Sequence, residues 1–375
     1  MEHLTQNKIQ VKLNDIANKQ YDIVVGENLS DLLIEFLQKQ DSISNVVIIT
    51  DSTVEKLYGE SLLSDLKDNL QSSIFNLLSF PAGEQYKMQE TVTKLQNQMF
   101  KLKCGRDTMV IALGGGVAGD VVGFVAATYM RGIPYIQVPT TMLAMVDSSV
   151  GGKTGIDNEF GKNLIGAFCQ PEAVFVDVEV LRTLQQEHIV SGLVEATKMF
   201  LTHDKKCFEY VKDNYEDIVA LDAIKVKKVI TRAVEIKSAV VMQDEKESGE
   251  RSILNLGHTI GHAMEKLSNY EMLHGYAVGL GVLVEAKIAV LIGKLSEKDY
   301  LTIEELLCRM VNKKDIFEFD AKQVLKETQL DKKTKDGETK FVLLRGVGIF
   351  CKKDGEYVHS VEEKHVLQAL KYFYN

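Results

Sequence analysis

Three of the eight histidines cluster late in the chain: His258 and His262, four apart in GHTIGHA, and His274 in LHG. Residues four apart on a helix share a face, so two of these imidazoles can reach one point. Upstream, Glu195 and Lys198 are three apart and share a face in the same way. Histidines with a carboxylate are the donor set of a catalytic zinc-type site, which keeps one coordination position open. The pattern lacks the glutamate of an HExxH zinc protease. His258 and His262 alone would be as well explained as core or capping residues. With Glu195 and His274 added, a divalent ion is the better reading, and spacing leaves open which two histidines hold it.

A second chemistry is written in glycine. Leu113 ends an apolar run, and GGGVAGD (Gly114–Asp120) follows, opening the apolar helix pattern Val121–Tyr129. Gly114, Gly116 and Gly119 satisfy GxGxxG after a strand and before a helix. In that context backbone N–H groups and a helix N-terminus cradle a pyrophosphate, although a plain tight turn reads the same way. The ordinary dinucleotide fold places an acidic residue about 20 positions further on for the ribose. Tyr135 to Thr141 offers none. Acidic groups come earlier, at Asp51 after Val46–Thr50 and at Glu84 in GEQYK, so a bound dinucleotide would not have its phosphate turn on the first strand.

Gly152-Lys153-Thr154 looks like the end of a P-loop, but the glycine required five residues earlier is Asp147. Lys153 is better read as a cation in a glycine-rich loop, with Lys162 and Asn163 close behind.

These groups need a scaffold, and the two halves of the chain promise different ones. All four prolines (Pro81, Pro134, Pro139, Pro171) lie in the first half, which also holds the glycine-rich stretch Gly114–Gly166. Val46–Thr50, Ser73–Phe80 and Thr108–Leu113 are short apolar runs of buried parallel strands, with helical patterns near Leu32–Leu37 and Thr91–Phe100 between them. This alternation predicts a Rossmann-like α/β domain over residues 1–178. Later text is helical, as in Ile218–Met242, Gly257–Leu267 and Ala277–Ile292, and predicts a mainly helical domain over residues 179–375.

Composition bounds the partners. The 375 residues are 45% apolar and 26% charged with a net charge of −9, as in an ordinary globular protein, which disfavours nucleic acid or an anionic membrane as partner. Any basic pocket must be local. The five cysteines are scattered without a CxxC. Met1–Asp15 lacks an apolar signal core, and no apolar run is read as long enough to span a bilayer, so a cytoplasmic protein is expected.

Several stretches together resemble one family, the 3-dehydroquinate synthases among the sugar-phosphate cyclases. The similarity runs from Tyr21-Asp22-Ile23 to Asp331-Lys332-Lys333. It is most specific in RGIPYIQVPTTMLAMVDSSVGGKTGID (131–157) and GKNLIGAF (161–168), with SGLVEATK (191–198) and LNLGHTIGHAME (254–265) fitting as well. The resemblance implies an N-terminal NAD-binding domain, a C-terminal helical metal domain and a cleft between them. It also implies conversion of 3-deoxy-D-arabino-heptulosonate 7-phosphate to 3-dehydroquinate and phosphate, the second step of the shikimate pathway.

Matched position by position, the resemblance makes Glu195, His258 and His274 the zinc or cobalt ligands and His262 a substrate or proton-relay residue. Asp147, Lys153, Asn163, Lys198, Lys237, Arg251 and Asn255 match substrate-contacting positions. Arg131 matches an arginine reaching the phosphate site of a second subunit, which implies a homodimer, and one of Lys332 and Lys333 should join it. For NAD the matching positions are Asp51, Glu84, Lys87, Gly115, Gly116, Val117, Gly119, Asp120, Thr140, Thr141, Lys153, Lys162 and Thr183. One departure stands beside a ligand: after His274-Gly275 the family usually has glutamate, and this chain has Tyr276. Altered tuning of the metal is expected there. Rival readings are an inosose or valiolone synthase, a glycerol-dehydrogenase-like alcohol dehydrogenase that would release NADH, and a non-catalytic NAD sensor. The intact VGGKTG and the Asn255, His258 and His262 set argue against the first. The lysine cluster around a metal argues against the last.

Overall fold

The computed structural model describes residues 6–12, 20–70, 74–247, 249–330 and 339–373. By its internal packing the chain divides into two compact units, Met1–Leu184 and Gln185–Asn375.

In the first unit the strands are β1 (Asn7–Lys12), β2 (Gln20–Gly26), β3 (Asn45–Asp51), β4 (Ile74–Phe80), β5 (Thr108–Gly114) and β6 (Tyr135–Pro139), then the hairpin β7 (Lys153–Asn158) and β8 (Gly161–Phe168), and β9 (Ala173–Asp177). Seven of these form one sheet in the order β1-β2-β9-β6-β5-β3-β4, parallel except for the edge pair β1 and β2. Val47 and Ile49 enter one apolar cluster and Val46 and Ile48 the other. A strand covered on both faces has no polar side, which is why β3 and β5 read as unbroken apolar runs. Helices Gln89–Lys101 and Gly116–Thr128 cover one face, and Ser30–Gln38 and the helical segment 52–69 the other.

The sequence placed the domain boundary at residue 178; the packing division falls after Leu184. Specific bonds tie the helical turn Val178–Thr183 to the first unit. Asp177 accepts from Glu179 N at 3.0 Å and from Leu29 N at 3.0 Å, and the Tyr58 hydroxyl donates to Val180 O at 3.0 Å. Lys153, expected in a loop, instead begins β7 and pairs with Phe168 of β8. A P-loop lysine would open a helix, so the strand also removes that reading.

Among the described residues of the second unit, nine helices dominate: Gln186–His203, Lys205–Asp213, Tyr215–Val219, Ala223–Gln243, His258–Leu267, His274–Leu291, Glu297–Met310, Ala321–Leu330 and Glu363–Tyr372. The expected helix Ile218–Met242 is two. The chain breaks at Leu221, with φ of 63°, and Asp222 caps the next helix by accepting from Lys225 N at 3.0 Å. Helix His274–Leu291 corrects another expectation. At 18 residues and mean hydropathy 1.4 it is long and apolar enough to cross a membrane, yet 78% of it is buried. A helix packed on all sides has no polar face to lower its hydropathy.

Candidate active site

Glu195 lies on helix Gln186–His203 and is fully buried, while His258 and His274 each begin a helix. Their ligand atoms converge: Glu195 Oε1 is 3.9 Å from His258 Nε2 and 3.7 Å from His274 Nε2. Glu195 Oε2 is engaged by the ammonium of Lys198, buried one turn along the same helix. Glu195 Oε1 is buried with no hydrogen-bond partner among the described residues. Such a group is costly to bury unless something positive meets it.

The rings explain what that something is. His258 Nδ1 lies 3.2 Å from Leu256 O, and a carbonyl only accepts, so Nδ1 holds the proton and Nε2 the lone pair. His274 Nδ1 lies 3.0 Å from Glu265 Oε2, which assigns it the same tautomer. Two imidazole lone pairs and a carboxylate oxygen therefore face one another, a donor set that fits a divalent ion. Ligand atoms bound tetrahedrally at about 2.0–2.1 Å lie roughly 3.3 Å apart, close to the spacing here. His262, one turn after His258, sets its ring 5.2 Å from that of His258 and 6.0 Å from that of His274. It groups with Glu265 and His274 rather than with Glu195. In the metal-free site, burial pushes the His274 imidazolium down, but Glu265 and Glu195 outweigh it and hold its pKa above the ordinary value.

Close helix packing brings these ligands together. A Cβ on Gly275 would lie 2.0 Å from Ser191 O, and one on Gly281 2.0 Å from Gly257 O, so glycine is what lets these backbones touch. The contacts press the helices of His274, Glu195 and His258 against one another. The buried Glu285 carboxylate accepts from Gly257 N at 2.7 Å and closes the N-terminus of the His258 helix, where a negative charge is favoured. Glu285→Ala is expected to lower the stability of the metal-free protein by on the order of 3 kcal/mol in urea unfolding, since it leaves an unmet N–H and a void. A loss under about 1 kcal/mol would contradict this capping role.

The expected substrate cations of this unit are buried. Lys237 sits on helix Ala223–Gln243, and Arg251 in the turn Glu250–Asn255 donates to Glu245 O. Asn255 donates to Glu247 Oε1 at 2.5 Å. Helix Gln186–His203 packs against both elements, so the sequence-distant cations adjoin the helix of Glu195 and Lys198. Lys332 and Lys333 lie outside the described residues.

In the first unit, β3 leads outward to β4 while β5 leads the other way to β6, so the strand order reverses between β3 and β5. Open α/β sheets bind ligands outside the carboxyl ends of strands at such a reversal. Asp51 ends β3, and the glycine turn follows β5 beside it. One Asp51 oxygen accepts from Thr53 N and Val54 N at 2.8 and 3.1 Å, and the other lies 3.5 Å from where a Gly114 side chain would begin. Gly114 has φ of 153° and leaves no room for a Cβ against Ala118, so the turn stays bare backbone opening into helix Gly116–Thr128. Gly115 caps that helix, Gly116, Val117 and Gly119 lie in its first turn, and Thr140 N closes onto Gly114 O at 2.9 Å, with Thr141 next along the chain.

A polar cluster lies near the same helix. The Lys87 ammonium is buried, 2.7 Å from Asp120 Oδ2, 2.5 Å from Asn163 Oδ1 and 4.0 Å from Glu84 Oε1. Burial pushes this lysine down, but Asp120 and Glu84 outweigh it and hold it above the usual lysine range. Lys162 lies 3.7 Å from Glu84, and Asp157 accepts from Asn163 N at 2.7 Å, so the hairpin closes the cluster. Thr183 stands apart from it, its hydroxyl 2.6 Å from that of Tyr58. Lys153 and Arg131 are exposed and Asp147 is half-buried in the turn Ala144–Ser148.

Sequence reasoning missed Glu265 and Glu285. Glu265 closes the quoted LNLGHTIGHAME, and its position one turn after His262 was the available signal. Tyr276 lines a cavity of about 520 Å³ with Gln186, Glu187, Tyr215 and Arg309, while the carboxylate on His274 is Glu265.

Residues 77–191 match the family described as 3-dehydroquinate synthase N-terminal, and residues 192–334 the one described as 3-dehydroquinate synthase C-terminal. A 3-dehydroquinate synthase from Thermoanaerobacter pseudethanolicus is 41% identical over 358 residues, covering 95% of this chain and 98% of the relative. A crystal structure of 2-deoxy-scyllo-inosose synthase complexed with carbaglucose-6-phosphate, NAD+ and Co2+ superposes with a TM-score of 0.87 at 26% identity, covering 98% of this chain and 99% of that one. The 2-epi-5-epi-valiolone synthase from Streptomyces hygroscopicus subsp. jinggangensis, with NAD+ and Zn2+ bound, gives 0.83 at 26% identity, covering 97% and 99%. The architecture is common to several cyclases, but the sequence agreement, carried in order through both halves, narrows it: this chain belongs to the 3-dehydroquinate synthase family.

Proposed function

We propose that this chain converts 3-deoxy-D-arabino-heptulosonate 7-phosphate to 3-dehydroquinate and inorganic phosphate, with NAD and a divalent zinc or cobalt ion as cofactors. The observation that carries the reading is the set of three mutually facing acceptors on Glu195, His258 and His274. NAD, when bound, takes a hydride from an alcohol carbon and later returns it, and the ion, when bound, acidifies that alcohol and stabilises charge developing on its oxygen.

The chain's own groups do the rest. Lys198 compensates the buried Glu195 charge and, with Lys237 and Arg251, supplies a local cationic field for a phosphorylated acid despite the net charge of −9. Once the alcohol is a ketone, the neighbouring C–H is acidic. His262 is assigned the transfer of that proton, with the leaving phosphate as the alternative base. Loss of phosphate, return of the hydride and aldol closure of the opened ring complete the balance, so no NADH is released. In the first unit the bare Gly114–Gly116 backbone and the helix N-terminus suit a pyrophosphate, and Asp51 suits a ribose. Glu84, Lys87, Asp120 and Lys162 are assigned to the same cofactor, with Thr140, Thr141, Thr183 and Lys153 completing the assignment. Asp147, Asn163 and Asn255 are assigned to substrate, as is one of Lys332 and Lys333.

Exposed Arg131, with φ of 72° in a turn, is assigned to the phosphate site of a second copy in a homodimer. We place the protein in the cytoplasm, in keeping with five cysteines that form no disulfide. Incubated with the heptulosonate phosphate, trace NAD and zinc, the purified protein is expected to release phosphate far beyond the amount of NAD. No phosphate release would contradict a cyclase, and, with NAD supplied in excess, NADH accumulating in proportion to substrate would favour the alcohol-dehydrogenase alternative. Turnover of a hexose 6-phosphate instead would favour an inosose-type cyclase.

A further inference from the structure

Glu265 stands outside the proposed ligand set, yet its carboxylate is buried and lies 3.0 Å from the Nδ1 of one ligand, His274. It sits in the last turn of helix His258–Leu267, where the helix dipole disfavours a negative charge, so burial there needs a compensating partner. Its backbone is firmly held: Glu265 O accepts from Tyr270 N at 2.8 Å and from the Ser268 hydroxyl at 2.8 Å, with Asn269 and Tyr270 in left-handed turn geometry at φ of 52° and 63°. A side chain on so fixed a base can dictate the orientation of what it touches.

What it touches is the far side of a ligand. His274 presents Nε2 to Glu195 Oε1 at 3.7 Å and Nδ1 to Glu265 Oε2 at 3.0 Å. The shorter distance is that of a hydrogen bond, whereas two ligands on one tetrahedral ion stand roughly 3.3 Å apart. Glu265 is therefore a partner of the imidazole and not a fourth ligand, although its oxygen, His262 and His274 also lie within 4.8 Å of one another. An ionised carboxylate accepting from Nδ1–H fixes the tautomer, prevents the ring from flipping and makes Nε2 a stronger donor.

We propose that Glu265 is a positioning residue of the metal centre, acting through His274. The proposal rests on Glu195, His258 and His274 as the ligand set. The test titrates Co2+ into the chelator-stripped full-length protein, its Glu265→Gln and its Glu265→Ala variants. Affinity is read by competition with a chromogenic chelator, geometry by the visible d–d bands of Co2+, and folding by thermal unfolding of the metal-free forms. The parent should take up one Co2+ per chain, and Glu265→Ala should bind about 10–100-fold more weakly with shifted bands. Glu265→Gln keeps an oxygen acceptor for Nδ1–H but loses the charge, so it should retain the parent bands and weaken binding by a smaller factor. A folded Glu265→Ala variant within twofold of the parent in affinity, with the same spectrum, overturns the proposal. So does complete loss of Co2+ binding, which would make Glu265 a ligand. If the alanine variant does not fold, parent-like affinity in Glu265→Gln overturns it. A parent that takes up no Co2+ instead defeats the metal reading on which the proposal rests.

Discussion

His274→Ala is expected to leave a folded protein that no longer retains a divalent ion and has lost at least about a thousandfold in kcat/KM, the loss expected when several kcal/mol of charge stabilisation disappears. One of two imidazole donors is gone, and the buried Glu195 Oε1 is left, among the described residues, with His258 as its facing imidazole. His262→Ala makes the comparison sharp. Its ring groups with Glu265 and His274 and not with Glu195, so this variant should keep the ion while losing about 10²–10⁴ in rate as a proton-moving residue. Metal content by mass spectrometry and phosphate release, measured on both variants, decide between the three histidines. Full metal occupancy in His274→Ala, or its loss in His262→Ala, would reverse the ligand assignment.

Gly275→Ala tests how the fold builds the site. The added methyl would lie 2.0 Å from Ser191 O, a backbone atom that no rotamer change can move. Helix His274–Leu291 must then shift away from helix Gln186–His203, which separates His274 Nε2 from Glu195 and breaks the bond from Gly275 N to the Ser191 hydroxyl, now 3.1 Å long. Overpacking typically costs about 1–3 kcal/mol, and a clash with fixed backbone belongs beyond that range, at about 4 kcal/mol or more. The expected result is a large fall in the urea midpoint, or failure to accumulate soluble protein, with metal retention lost in whatever folds. A variant with parent stability and parent metal content would show that this close approach does not position the site.

Much of this was legible in sequence, and the limits have physical causes. Apolar runs announce strands, so β3 and β5, buried on both faces, and the half-buried edge strand β4 were found nearly to the residue from Val46–Thr50, Thr108–Leu113 and Ser73–Phe80. That Asp51 precedes the glycine turn in sequence hinted that the first strand does not carry it; the sheet order puts β3 beside β5, a neighbour relation that no local pattern encodes. The start of the hairpin β7–β8, at Lys153, was read as a glycine-rich loop because Gly151, Gly152 and Gly155 mask any strand alternation. The boundary was set at 178 because the text turns helical after the last proline, Pro171, whereas long-range bonds to Leu29 and Tyr58 carry the first unit to Leu184.

At the site, spacing showed that His258 and His262 share a face but not which of them meets Glu195. That choice depends on the contact of three helices through Gly275 and Gly281. Glu265 and Glu285 were missed for the complementary reason: a helical glutamate reads by default as a solvated residue, and only burial shows that one meets an imidazole and the other caps a helix. Tyr276 looked significant because it adjoins His274 in sequence, but successive helical residues point in different directions.

The most direct test of the central claim is to locate the metal by anomalous diffraction at the cobalt edge, in crystals of the protein purified with Co2+. One ion per chain is predicted, with Glu195 Oε1, His258 Nε2 and His274 Nε2 each about 2.0–2.2 Å from it and a further position open. An ion bound to His262 and Glu265 instead, or no anomalous peak beside Glu195 in catalytically active protein, would contradict it.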